Sequence, residues 1–197
     1  MIAILAFGSL LGDPGAELDA SISERRSVQT PFCVEFARLS TNRGGAPTLV
    51  PVGSGGERVQ ASLLMLREDV SLQGAKDMLW RRETDRVGGG GSYRARQAPT
   101  PNTVLIKDLC GFEGINHVFF VDFPSEGKLN NPTAAQLADA AIESARGRSD
   151  NRDGISYLLN AKRSGIVTPL TADYECMILD RTGAADLEQA RESLRAG

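Results

Sequence analysis

The chain has 197 residues, enough for a single domain spanning 1–197, and its 41% hydrophobic and 24% charged content is that of a protein with a buried core. A formal net charge of −3 argues against a nucleic-acid surface, which usually carries a basic stripe. No apolar run approaches the roughly 18 residues needed to cross a bilayer, and no basic segment precedes the apolar start, so no signal peptide is expected and the cytoplasm is the default compartment.

Ile2 to Phe7 is an aliphatic run too short for a helix and reads as a buried strand. It empties into Gly8-Ser9, where glycine lets bare backbone N–H groups come close to an anion; an ordinary turn at the end of a first strand is the plainer reading. Leu11 to Ala20 holds Gly12, Asp13, Pro14 and Gly15 and predicts a turn-rich connection. Val28 to Ser40 is strand-like, with Phe32, Val34 and Phe36 on one face. Thr41 to Pro47 is a loop, Thr48 to Val52 a short extended piece, Gly53 to Gly56 a turn, and Arg58 to Leu66 a further strand.

The period changes at Ser71 to Asp85, where Leu72, Ala75, Met78 and Leu79 follow helical spacing, with Asp69 or Ser71 as cap. That helix must end before Gly88 to Gly91. Asn102 to Leu109 and His117 to Phe123 read as strands. Pro132 to Arg146 reads as a helix capped by Asn131 or Thr133, and Asp153 to Lys162 as another. Thr171 to Leu179 is assigned to neither helix nor strand, and Ala184 to Arg195 predicts a polar, exposed terminal helix. Strands early and helices late predict an α+β fold, with a closed or half-closed sheet and helices packed outside it.

Cys33, Cys110 and Cys176 are far apart and odd in number, with no metal-ligand spacing and no disulfide framework. Apolar neighbours give each the character of a small core residue. His117 is the only histidine, so a site with several histidine ligands is impossible and a Ser-His or Cys-His mechanism has to use it. Acid–base chemistry falls to carboxylates or tyrosines.

Four features can carry chemistry. The first is the strand end Phe7-Gly8-Ser9-Leu10, which lacks the G-x-S-x-G elbow of a serine nucleophile. The second is Glu83 in Trp80-Arg81-Arg82-Glu83-Thr84-Asp85. A carboxylate at a helix C-terminus, one turn from a tryptophan, has its charged form disfavoured, as general acid–base work requires. Arg81, Arg82 and Arg86 oppose this, and a solvated face with i,i+4 ion pairs is the alternative. The third is Gly88 to Gly91, which lacks the Lys-Ser/Thr of a P-loop and reads as a flexible hairpin or lid. The fourth is Arg43, in Arg43-Gly44-Gly45-Ala46-Pro47, which can clamp a carboxylate or simply face water.

Together these pieces resemble the γ-glutamylcyclotransferase-like superfamily. Phe7-Gly8-Ser9-Leu10 is similar to its Tyr-Gly-Ser-Leu or Tyr-Gly-Ser-Asn signature, and Arg38 to Pro47 to the Arg-Gly loop of its ChaC-type members. Leu79 to Glu83 with Tyr93 downstream resembles the segment holding the family's catalytic glutamate. The stretches Ala134 to Ala145 and Gly154 to Leu159 resemble the ChaC-type C-terminal helices. Phe7 stands where the family has tyrosine, and the four glycines lengthen the path from Glu83 to Tyr93.

The resemblance implies a small mixed β-barrel with a central cavity. It implies an enzyme that releases 5-oxoproline from a γ-glutamyl amine or peptide, glutathione among the candidates, with Glu83 as general acid/base. Phe7, Gly8, Ser9, Leu10, Arg43 and Tyr93 would bind that small substrate. No metal or cofactor is called for, because the substrate's own amine is the nucleophile. Neither a nucleic acid nor a membrane is an expected partner, and the oligomeric state is open. The competing readings are a non-catalytic binding module on the same barrel and a hydrolase using Ser9 with His117.

Overall fold

The computed structural model describes residues 1–146 and 148–195. In chain order the elements are β1 (Ile2–Ala6), α1 (Ser9–Gly12), α2 (Ala16–Asp19), β2 (Ile22–Gln29), β3 (Val34–Ser40), β4 (Ala46–Pro51), β5 (Gln60–Leu66), α3 (Leu72–Glu83), β6 (Leu105–Asp108), β7 (His117–Asp122), α4 (Ala134–Ala145), α5 (Gly154–Arg163), α6 (Thr171–Thr182) and α7 (Leu187–Arg195). The fold is α+β, as the sequence predicts. Among the described residues no helix is long and apolar enough to cross a membrane.

The chain forms two compact units, one from residues 1–30 and 60–127, the other from 31–59 and 128–197. In the first, five strands lie in the order β2-β5-β1-β7-β6. β1 runs parallel to β7 and antiparallel to β5, and the other pairs are antiparallel. β1 is central, and Ala3 to Ala6 are fully buried on both of its faces, which is why it reads as a continuous apolar run. Ile4 and Ala6 on one face pack with Leu64 and Phe119 and with Leu10, Leu18, Ala75 and Leu79 from the helices. No closed barrel is found among the described strand pairings: β2 and β6 are sheet edges.

α3 forms because Ser71 Oγ accepts from the Gly74 N–H at 3.0 Å and Ala75 and Leu79, one turn apart, are fully buried. It stops at Thr84, whose hydroxyl donates to Trp80 O at 2.8 Å, and Asp85 then takes a φ of 62°.

The second unit pairs β3 with β4 as an antiparallel ribbon and adds α4 to α7. Its core holds Phe36, edge-on to Tyr157 and Tyr174 with ring centroids 6.3 and 5.3 Å away. The Tyr157 hydroxyl accepts from Leu49 N–H. Buried Glu35 is satisfied by the Phe36 and Leu170 amides and the Thr168 hydroxyl. α4 opens on a capping box between Thr133 and Gln136, and α5 on Asp153, which accepts from Ser156 N–H and Oγ–H.

Several expectations are corrected. The strand expected over Val28 to Ser40 is two strands, broken at residues 30–33. Leu11 to Ala20 contains single-turn helices, the first of which begins at Ser9. Thr41 to Pro47 includes a 3₁₀ turn at Thr41–Arg43. Thr171–Thr182 is a full α-helix, with Thr171, Tyr174 and Ile178 buried at helical spacing. The terminal helix is not wholly exposed, since Leu187 and Ala190 are buried. The cysteines are not core residues: Cys110 and Cys176 are exposed and Cys33 is half-buried. Cys110 lies in the turn after β6, and Cys176 lies on α6 off the face that Tyr174 and Ile178 bury.

Candidate functional site

The end of β1 is shaped by Gly8, whose φ of 60° and ψ of −135° suit glycine almost alone. The chain then turns into α1, where Leu10 buries its side chain against α3 and Ser9 is half-buried. The Ser9 and Leu10 amides open the turn, where a helix has no internal acceptor for them. Phe7 precedes it, half-buried.

Arg82, in the last turn of α3, reaches back to this turn. Its Nε and Nη2 donate to Asp13 O at 3.0 and 2.7 Å, and Nη2 also donates to Ser9 O at 3.3 Å and Ser9 Oγ at 3.4 Å. Asp13 follows the last residue of α1, where carbonyls lack intrahelical partners, whereas Ser9 O also accepts from Asp13 N–H at 3.1 Å. The other nitrogen of the same fork, Nη1, donates to Glu83 Oε1 at 3.0 Å. One planar guanidinium therefore touches both the Glu83 carboxylate and Ser9. The Arg82 and Glu83 side chains retain only 11% and 20% of their exposure. The i,i+4 pairing weighed for Glu83 is not what holds it. Its partner is the adjacent arginine, and that cation offsets the unfavourable end of the helix dipole.

A second clamp lies alongside. Arg81 binds Glu17 bidentately, its Nε 2.8 Å from Oε2, while its Nη1 donates to Gly91 O at 2.9 Å. Glu17 also accepts from the Gly88 N–H. The hydrogen bonds from Arg81 hold the Glu17 carboxyl below the usual glutamate range. The glycine run expected as a flexible lid is thus tied at both ends to an ion pair. Gly91 has a φ of 117° and lies where a Cβ would come 3.2 Å from the Trp80 ring, which the Arg86 guanidinium also covers.

Tyr93 follows α3 in the chain and bonds back to it and to β6. Its N–H donates to Asp77 Oδ1 at 2.7 Å and its hydroxyl accepts from Ile106 N–H at 3.1 Å. Asp77 precedes Glu83 by six residues, about 9 Å of helix. Arg43 belongs to the second unit and lies over the Tyr157 ring, 5.3 Å from its centroid. His117 pairs with Ile2 at the far end of β1 from Gly8, and its Nδ1 is 2.7 Å from Asp108 Oδ2. At ~3.3 Å per residue, the strand alone separates His117 from the Ser9 turn by about 13 Å, so Ser9 and His117 do not form a catalytic pair.

The structure therefore joins the Gly8–Leu10 turn to Glu83 through Arg82, while Tyr93 is held by Asp77 and Ile106. Arg82 and Glu17 are the residues that sequence reasoning undervalued. Arg82 was visible only as a flank of Glu83, and Glu17 carried no signal of its own. No family model, curated protein or solved structure matches the chain.

Proposed function

We propose that the chain is a γ-glutamylcyclotransferase-type enzyme that converts a γ-glutamyl amine or peptide to 5-oxoproline and a free amine. The observation that carries the reading is the shared guanidinium: it sets a half-buried carboxylate, Glu83, beside a turn that opens with two amides. The mixed barrel of the resembling family is proposed with it, supported by the mixed five-stranded sheet with β1 at its centre.

In the proposed reaction the Ser9 and Leu10 amides, next to the Arg82 charge, hold the α-carboxylate of the glutamyl group. The α-amine nitrogen attacks the γ-carbonyl carbon, and a carbon–nitrogen bond forms as the ring closes. Glu83 takes the proton from the attacking nitrogen and returns it to the departing nitrogen as the bond from the γ-carbon to the old amine breaks. Holding amine and carbonyl at near-attack distance supplies much of the rate. Nothing in this sequence needs a nucleophile from the protein.

The test is incubation of the purified chain with glutathione and a panel of γ-glutamyl amino acids and amines, with 5-oxoproline measured by mass spectrometry. Release of 5-oxoproline from at least one member is the expected result. The binding-module reading rests on Arg82 already engaging Glu83, and it predicts calorimetric binding with no product after hours. Neither binding nor turnover across the panel overturns both.

A further inference from the structure

The geometry points to a transition-metal site at the β6–β7 hairpin end, with Asp108, Cys110 and His117 as its three ligands and zinc as the ion it fits. Their ligand atoms all lie within 4.8 Å of one another. The arrangement follows from strand geometry. Asp108 and Cys110 are two residues apart, so a continuing strand puts them on one face. The antiparallel register pairs Asp108 with Phe119, and Leu109 N–H bonds Val118 O beyond it. Continued by two residues, that register sets Cys110 opposite His117. The connecting turn is fixed by Gly111 N–H donating to Ile115 O, with Gly111, Glu113 and Gly114 all at positive φ.

The donor set selects the ion. A thiolate, an imidazole and a carboxylate suit zinc, whereas magnesium and calcium take oxygen ligands. With bonds of about 2.0–2.3 Å, tetrahedral coordination sets ligand atoms about 3.5 Å apart. Side-chain rotations that widen the 2.7 Å Asp108–His117 contact and draw in the longer separations reach that spacing, and exposed Asp108 and Cys110 leave room for them. Three protein ligands leave one position for water. The metal takes the place of the Cys110 thiol proton, which passes to solvent. Binding through Nδ1 replaces its 2.7 Å contact to Asp108 with a shared ion, and the imidazole proton then rests on Nε2. The site does not rest on the proposed cyclotransferase reaction, because His117 stands at the opposite end of β1 from Gly8.

The experiment titrates the whole reduced chain with Zn²⁺ by calorimetry and with Co²⁺ by absorbance, where a thiolate–cobalt charge-transfer band reports sulfur ligation. One Zn²⁺ per chain and a Co²⁺ band are expected. Cys110→Ser should abolish the band, and Cys110→Ser and His117→Ala should each weaken Zn²⁺ by roughly tenfold or more. Cys33→Ser and Cys176→Ser should keep both signals, and Mg²⁺ should not compete. Circular dichroism checks that each variant is folded, and protection of Cys110 from alkylation by Zn²⁺ in the unmutated chain is a readout that needs no variant. Absence of the band, its survival in Cys110→Ser, or unprotected Cys110 at saturating Zn²⁺ overturns the site.

Discussion

Arg82→Ala should unfasten the strand-end turn from α3. The side chain is 11% exposed and makes close bonds to Asp13 O and Glu83 Oε1, with longer ones to Ser9. A hydrogen bond to a charged group contributes ~1.5–3 kcal/mol, but the bonds of one fork do not add, and water reaches part of the vacated space. The net cost should be about 2–3 kcal/mol, a shift of about 1 M in urea midpoint for a typical denaturant slope. Trp80 is the chain's only tryptophan and sits two residues before Arg82, so its fluorescence follows this end of the first unit. Arg82→Lys should recover less than half of the loss, because an ammonium cannot span Asp13 and Glu83 as a planar fork does. A loss under about 0.5 kcal/mol in Arg82→Ala, the range of an ordinary surface change, or full rescue by lysine, refutes the reasoning.

In Gly154→Ala a new Cβ would lie 2.7 Å from Ala141 Cα and 2.9 Å from Pro47 Cδ. The substitution should therefore destabilise by ~1–3 kcal/mol in thermal unfolding, and an unchanged or raised midpoint contradicts that packing. The native Glu17 carboxyl is lowered by Arg81, so its contribution is present above the ordinary carboxylate range and is lost as pH falls through the lowered native value. Glu17→Gln should cost about 1 kcal/mol near neutrality, the Glu17 and Arg81 side chains being 22% and 16% exposed, and the gap to the unmutated chain should close in acid. A gap independent of pH in urea titrations contradicts the clamp.

Elements whose signals are local were legible in the sequence. Ser71 before Ala75 and Leu79, Thr133 three residues before Gln136, and the unbroken aliphatics of β1 each announce their element without help from the fold. The break between β2 and β3 was hidden because β2 is an edge strand with Glu24, Arg25 and Arg26 exposed, so its pattern shows no alternation. α6 was hidden because its buried stripe begins on a threonine. Cysteine burial depends on which face of an element a residue takes, and neighbouring letters do not tell. The Asp108–Cys110–His117 cluster exists through a register across a turn rather than through a ligand spacing. Glu83 and the Gly8–Ser9 turn were both legible as candidates. Their link was not, since it needs α3 packed on β1 so that Arg82 can reach Asp13, 69 residues earlier.

The most direct measurement compares the unmutated chain with Glu83→Gln on the γ-glutamyl substrate that turns over fastest, following 5-oxoproline release and, in parallel, calorimetric binding of that substrate. The amide keeps the size of the side chain and removes its ability to carry a proton between nitrogens. Binding within a few-fold of the unmutated chain is expected, with a rate at least 10²-fold lower, the smallest contribution usual for a general acid–base group. Turnover at the unmutated rate in Glu83→Gln contradicts that role.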